Sequence, residues 1–233
     1  MLALAREGCH VVLAARTLGP LEATAAAARR FGVDALPIVL DVTDAAAVTT
    51  AVGEARAKLG AIAVLVNNAG IAESAPFART DPDLWERHLR VNATGPYLLT
   101  RAVLPVMLER RWGRVINIAS LAGLHGASYV TAYTASKHAL VGLTRALAAE
   151  VSGTGVTVNA ICPGFAATDL VWNSARNIAA KTGKSFEEAV AAMARINPGR
   201  RLIDPGEIAA VAAKLVHDDA TNGETIVLDG TQS

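Results

Sequence analysis

Six short runs of β-branched and aliphatic residues, separated by stretches carrying helix start and stop signals, constrain this chain more than any other feature. The runs occupy residues 10–15, 36–40, 62–66, 114–119, 156–161 and 225–228. They are apolar on both faces and do not alternate, which is the pattern of strands buried in a parallel sheet. Between them, Asp81-Pro82 places an N-cap before a proline at the first helical position. Asp204-Pro205-Gly206-Glu207 adds a glutamate at the capping-box spacing, and Ser185 with Glu188 repeats it. Gly32, Gly60 and Gly113 stand where helices should stop. No repeat, low-complexity linker or charge block divides the chain, so residues 1–233 read as a single α/β domain. The strand–helix alternation predicts a doubly wound parallel sheet with right-handed crossovers. Ligands of such sheets bind at the carboxyl ends of the strands.

Composition narrows the function classes. Lys and Arg number 22 against 21 Asp and Glu, a formal net charge of +1, so neither nucleic acid nor an anionic membrane surface is an expected partner. The apolar runs fall far short of the ~20 residues a membrane helix needs. Cys9 and Cys162 lie far apart, with neither disulfide-framework nor zinc spacing, which suits a reducing, cytoplasmic setting. His125, His138 and Cys162 have no ligand spacing, and no metal is expected. Arg6, Glu7 and His10 interrupt the first ten residues, which lack a signal-peptide core.

The start of the chain is unusual. Residues 1–8 read as the last two turns of a helix ending at Gly8, followed at once by a strand. A helix that short is marginal alone. A doubly wound fold would place a strand and a phosphate-binding turn before it, yet no G-x-G-x-x-G cluster is present. The expectation is a fold with its first strand missing, the sequence being an N-terminally truncated form of a longer reading frame. Two unpaired edges would then face each other, on the strands at 10–15 and 62–66.

Chemistry-bearing residues cluster after the strands. Asn67-Asn68-Ala69-Gly70 follows the third, Ser120 the fourth, and Tyr133-x-x-x-Lys137 comes thirteen residues after Ser120. Pro163-Gly164 follows the fifth, with Thr168 four residues beyond. Together with Asp41-Val42, Asn92 and Asp229-Gly230, in this order and spacing, the chain resembles the short-chain dehydrogenase/reductase family over essentially its whole length. Its pattern is most similar to the 3-oxoacyl-carrier-protein reductases and related ketoreductases. The resemblance implies a Rossmann-type domain and an oxidoreductase that moves hydride between a nicotinamide dinucleotide and a ketone or secondary alcohol.

Ketone reduction needs a proton donor at the carbonyl oxygen, and tyrosine, with a reference pKa of about 10, needs help to serve near neutrality. A lysine at i+4 shares its helix face and can supply positive charge there. Ser120 at a strand end can orient the substrate oxygen against Tyr133. The resemblance adds that Lys137 holds the nicotinamide ribose and that Asn92 anchors a relay behind it. Asn92, Ser120, Tyr133 and Lys137 are thus the expected catalytic residues. It also implies that Arg16, Asp41, Val42, Asn67, Ala69, Gly70, Pro163, Gly164, Ala166 and Thr168, with Tyr133 and Lys137, bind the cofactor. Structural readings stay open for several: a turn residue at Ser120, a backbone bridge at Asn92 and Asn67, and a helix cap at Asp41. Ala15-Arg16 stands where NAD users usually carry an acid, and an arginine can pair with a 2′-phosphate. NADP is the expected cofactor, with NAD as the alternative.

A lid is expected at about 168–199. It mixes apolar Leu170, Val171, Trp172, Ile178, Phe186 and Met193 with basic Arg176, Lys181, Lys184 and Arg195. An apolar pocket with a cationic rim suits a small-molecule ketone or an acyl thioester on a carrier; the alternative is another small hydroxylated substrate. The rival from another class is a non-catalytic scaffold, since the phosphate loop is missing. The helix at about 131–151 carries Ala132, Ala135, Ala139, Leu140, Leu143, Leu147 and Val151, more apolar surface than one sheet-facing stripe requires. With the resemblance, this implies a homo-oligomer, a tetramer or a dimer.

Overall fold

Helix and strand alternate along the computed structural model, which describes residues 1–231. The order is α1 (Leu2–Arg6), β1 (Val11–Ala15), α2 (Leu18–Arg29), β2 (Ala35–Val39), α3 (Ala45–Leu59) and β3 (Val64–Asn67). Next come α4 (Pro82–Leu89), α5 (Gly95–Glu109), β4 (Gly113–Ile118), α6 (Thr131–Glu150) and β5 (Val156–Pro163). Helices α7 (Asp169–Thr182), α8 (Phe186–Ile196) and α9 (Pro205–Val216) precede β6 (Thr225–Leu228). Every expected strand lies within two residues of an observed one.

The described strands pair in parallel, in two groups: β1 with β2, and β3-β4-β5-β6 in that order. β1 and β3 share no ladder, so each keeps an unpaired edge. The groups are held together through their faces. Val11 and Leu13 of β1 pack with Ile116 of β4 and Ile161 of β5 under α1, α2 and α9. On the opposite face, Val12 and Leu36 join Leu65, Val115 and Val158 beneath α3, α5 and α6. All eight residues of β5 are buried, whereas Val64, Leu65 and Val66 of β3 are only half-buried. β5 has a neighbour on each side; β3 has one.

The helix ends follow their sequence signals. Asp81 accepts from the Leu84 N–H at 2.7 Å. Ser185 with Glu188, and Asp204 with Glu207, form reciprocal capping boxes. Gly60 closes α3 at φ +84°. Gly113 corrects the sequence reading: it opens β4, and the turn after α5 puts its positive φ on Arg111 at 54°. Glycine is needed at 113 for space, since a Cβ there would stand 2.6 Å from the Met107 side chain. Two buried asparagines set the register of α6 on the sheet. Asn67 donates to Asn117 Oδ1 at 2.8 Å, and Asn117 donates to Thr144 Oγ1 at 2.8 Å. Thr144 lies two turns beyond Lys137 on α6, so this polar pin fixes where α6 presents its first turns against β4.

Candidate active site

Parallel pairing brings the ends of β1, β2, β3, β4 and β5 to one edge, with Arg16, Asp41, Asn67, Ser120 and Pro163. Ser120 caps a short turn, its Oγ accepting the Ala122 N–H at 3.1 Å, and its side chain lies near enough to the Tyr133 hydroxyl to favour the phenolate. The turn reading of Ser120 holds. Gly123 lets this turn approach α6, since a Cβ would meet the Lys137 carbonyl oxygen at 2.9 Å.

Tyr133 and Lys137 stand one turn apart on α6. The Lys137 ammonium is buried, donates to the Ile118 carbonyl at 2.8 Å, and lies 5.8 Å from the Tyr133 ring centroid. Burial lowers the Lys137 pKa to about 8. Tyr133 runs opposite to the sequence expectation: burial raises its pKa, with the Ser120 hydrogen bond pulling the other way. In this geometry the lysine charge is spent on Ile118 and does not offset the phenol's desolvation. The Cys162 thiol sits among the three, pushed up by burial and opposed by the Ser120 N–H and the Lys137 charge.

Behind Lys137, Asn92 is fully buried within a π-helical turn (Arg90–Thr94) that continues α4. Such turns recur at functional positions. Its Oδ1 accepts the Ile71 N–H and its Nδ2 donates to the Ile71 carbonyl, both at 2.9 Å. Nδ2 also reaches Ser136 Oγ at 2.9 Å, and that hydroxyl donates to the Tyr133 carbonyl at 2.7 Å. Asn92 therefore bridges backbone, as its structural reading held, and the bridge runs from the loop after β3 to α6. Sequence reasoning missed Ser136, although its place between Tyr133 and Lys137 marks it.

The other expected binding residues divide. Asp44, not Asp41, caps α3. Asp41 is exposed, and its carboxyl is held low by the Thr43 N–H and hydroxyl, with Arg16 and Arg90 adding positive charge. Ala69 and Gly70 are exposed beside the site, and a Cβ on Gly70 would stand 3.2 Å from Asn92 Oδ1 and 3.6 Å from Lys137 Nζ. Val42 and Ala166 turn their side chains into the core, leaving only main chain to face a ligand. Asn67 Oδ1 is buried without a partner. Gly164 is tight against Asn197, whose Oδ1 accepts the Phe165 N–H at 2.8 Å and whose Nδ2 donates to the carbonyls of Phe165 and Arg201. Asn197 also went unread in the sequence.

The segment expected as a lid holds together on its own. Val171, Ala175, Ala189 and Met193 form a small core of their own, packed by Trp172, Ile178 and Phe186. Those apolar side chains bind α7 to α8, and Leu170 stays exposed. Clefts beside Arg56 and Glu109, and beside Trp112 and Asn222, open at the amino ends of the strands, away from Tyr133.

The α/β fold gathers the expected site residues at one edge of a parallel sheet. Residues 1–179 match the family described as short chain dehydrogenase. An uncharacterised oxidoreductase of Bacillus subtilis (strain 168), YxjF, is 35% identical over 97% of this chain and 89% of its own. A variant of actinorhodin polyketide ketoreductase solved with NADPH shares 34% identity at a TM-score of 0.92, covering 98% of this chain and 91% of that one. L-Sorbose reductase from Gluconobacter frateurii, complexed with NADPH and L-sorbose, shares 27% identity at a TM-score of 0.91, covering 98% and 89%. The chain belongs to the short-chain dehydrogenase/reductase family. Among the described residues, no helix is long and apolar enough to cross a membrane.

Proposed function

We propose that this protein is an NADPH-dependent reductase of ketones, with 3-oxoacyl thioesters among its substrates. The observation that carries the reading is the Tyr133 hydroxyl beside Ser120 at the end of β4, with the Lys137 ammonium one turn behind at 5.8 Å from the ring centroid. Ser120 orients the carbonyl oxygen, and Tyr133 delivers the proton to it. Lys137, with its pKa at about 8, is mostly charged at neutral pH and keeps a positive charge one turn behind the phenol.

The residues at the strand ends suit an extended dinucleotide. Gly70 leaves a bare backbone beside Lys137, where a Cβ would crowd Asn92 and the ammonium. Asn67 Oδ1 remains a buried acceptor in want of a donor. Arg16, exposed after β1, is placed to read a 2′-phosphate, with Ala15 leaving no carboxylate to repel it. Lys137 and Tyr133 would hold the nicotinamide ribose, and main chain at Val42, Ala69 and 163–168 would line the rest. When bound, the dinucleotide supplies the hydride. The likeness to actinorhodin ketoreductase supports an acyl-type ketone, and that to L-sorbose reductase supports a smaller hydroxylated ketone. The joined Ser120–Tyr133–Lys137 set argues against a non-catalytic scaffold. Partly exposed Ala135, Leu143 and Leu147, with exposed Ala139, make α6 the surface on which a second copy would pack.

NADPH oxidation assayed with a panel of ketones, sugar ketones and 3-oxoacyl thioesters tests the reading. Turnover with one of these classes that drops ~10²-fold or more in Tyr133→Phe supports it. Turnover retained in Tyr133→Phe overturns it.

A further inference from the structure

His88 is a buried side chain next to the site that the proposed chemistry leaves without a role. It lies in α4, is fully buried, and sits with its ring centroid 6.3 Å from that of Tyr133 at an interplanar angle of 77°. A buried imidazole needs partners on both nitrogens. Nδ1 lies 2.8 Å from the Leu84 carbonyl, and Nε2 lies 3.1 Å from the Glu73 main-chain nitrogen. The Glu73 N–H can only donate, so Nε2 accepts and the proton sits on Nδ1. That pairing selects one neutral tautomer.

The turn that His88 grips is the floor of the site. Asn92, four residues on, holds both main-chain groups of Ile71, and His88 holds the N–H of Glu73. Two side chains of one helical surface thus pin the backbone from 71 to 73. This stretch directly follows Gly70, where an added Cβ would meet Asn92 Oδ1 and Lys137 Nζ. The Glu73 side chain also meets Arg87 at 3.3 Å, but both groups are half-exposed and such a pair holds little.

We propose that His88 is a positioning residue for the reaction: through its Nε2 bond to Glu73 it fixes the 70–73 turn against Lys137 while its ring buttresses Tyr133. The inference rests on the reductase reading above. Without the acceptor, the Glu73 N–H loses its protein partner, and the turn loses its tie to α4 and shifts. A displacement below an ångström at this floor misaligns the carbonyl with the tyrosine hydroxyl.

Three substitutions test this. His88→Phe keeps a flat ring against Tyr133 and removes the acceptor. His88→Asn, a smaller polar side chain, falls short of Glu73. His88→Gln places an amide oxygen close to where Nε2 sits. Steady-state kinetics with NADPH and a ketone, and amide hydrogen exchange at Glu73 in the ligand-free protein, are the readouts. His88→Phe and His88→Asn should lose about tenfold or more in kcat, with the NADPH KM within about twofold of the parent. Both should lose exchange protection at Glu73, and His88→Gln should recover most of the kcat and the protection. Parental kcat and protection in His88→Phe or His88→Asn overturns the proposal, as does a His88→Gln protein as impaired as the other two. Tyr133→Phe, run alongside, separates the two levels. An active Tyr133→Phe removes the reductase reading. An inactive Tyr133→Phe beside a fully active His88→Phe removes only the role of His88.

Discussion

Replacing Lys137 with methionine keeps the length of the stem and removes the ammonium, and the structure sets how the stability change must depend on pH. Burial lowers the Lys137 pKa from 10.5 to about 8 in the folded chain. The unfolded chain keeps the ordinary value, so between pH 8 and 10.5 it binds the proton that the folded chain has released. Stability of the parent protein therefore rises with pH across that window relative to Lys137→Met. Below pH 8 the cost of the buried ammonium is fully expressed, at roughly 3 kcal/mol. By pH 9.5 more than half of it is relieved, so the gap between the two proteins should move by about 2 kcal/mol between pH 7 and 9.5. The lost bond to Ile118 and the altered packing are constant with pH and cancel in this comparison. Tyr133, raised above its ordinary 10, does not titrate inside the window. Thermal melts of the ligand-free proteins at pH 7, 8, 9 and 9.5 read the effect. For a chain of this size about 2 kcal/mol moves Tm by roughly 4–8 °C, with the parent gaining on the variant as pH rises. A gap that stays constant within about 0.5 kcal/mol, or moves the other way, refutes the desolvated ammonium on which the reasoning rests.

Tyr133→Phe should keep the parental melting temperature within a few degrees while turnover falls by ~10² or more, checked by NADPH oxidation and thermal melts. Arg16→Ala should raise the KM for NADPH about tenfold more than that for NADH, and equal losses for the two would remove the 2′-phosphate role. Gly164→Ala puts a Cβ 2.3 Å from Asn197 Oδ1, so it should cost about 2–3 kcal/mol, and Asn197→Ala in the same chain should add little further loss. Light scattering at micromolar concentration should give a mass above that of one chain if a second copy covers α6.

Strand positions were readable in the sequence because a strand apolar on both faces has few alternatives, as β5 shows with every residue buried. The Ser120, Tyr133 and Lys137 spacing was readable for a similar reason: topology alone carries strand ends and the first turns of α6 to one edge. Electrostatics were not readable at that level. The i+4 lysine was expected to ease ionisation of Tyr133, but its ammonium turned to Ile118, and burial decided both pKa directions. His88 and Asn197 stayed hidden because a lone buried polar residue shows its partners only after folding, and these partners are main-chain groups 15 and 32 residues away. The packing between the lid helices was hidden for a related reason. Their apolar residues have the composition of a pocket lining, and only the structure reveals that Val171, Ala175, Ala189 and Met193 face one another.

The clamp of Asn197 on Phe165, backed by the bridge between Ala166 and Ile203, gives the intervening segment one narrow root. Its helices cohere through their own contacts, and chain enters and leaves at two residues tied by a pair of hydrogen bonds. Swapping or lengthening what lies between should leave the sheet and the tyrosine undisturbed, since loop-closure entropy grows only slowly with length. The specificity of this scaffold can then drift or be engineered as a cassette exchange, with Gly164 and Asn197 as the junction that every insert must preserve.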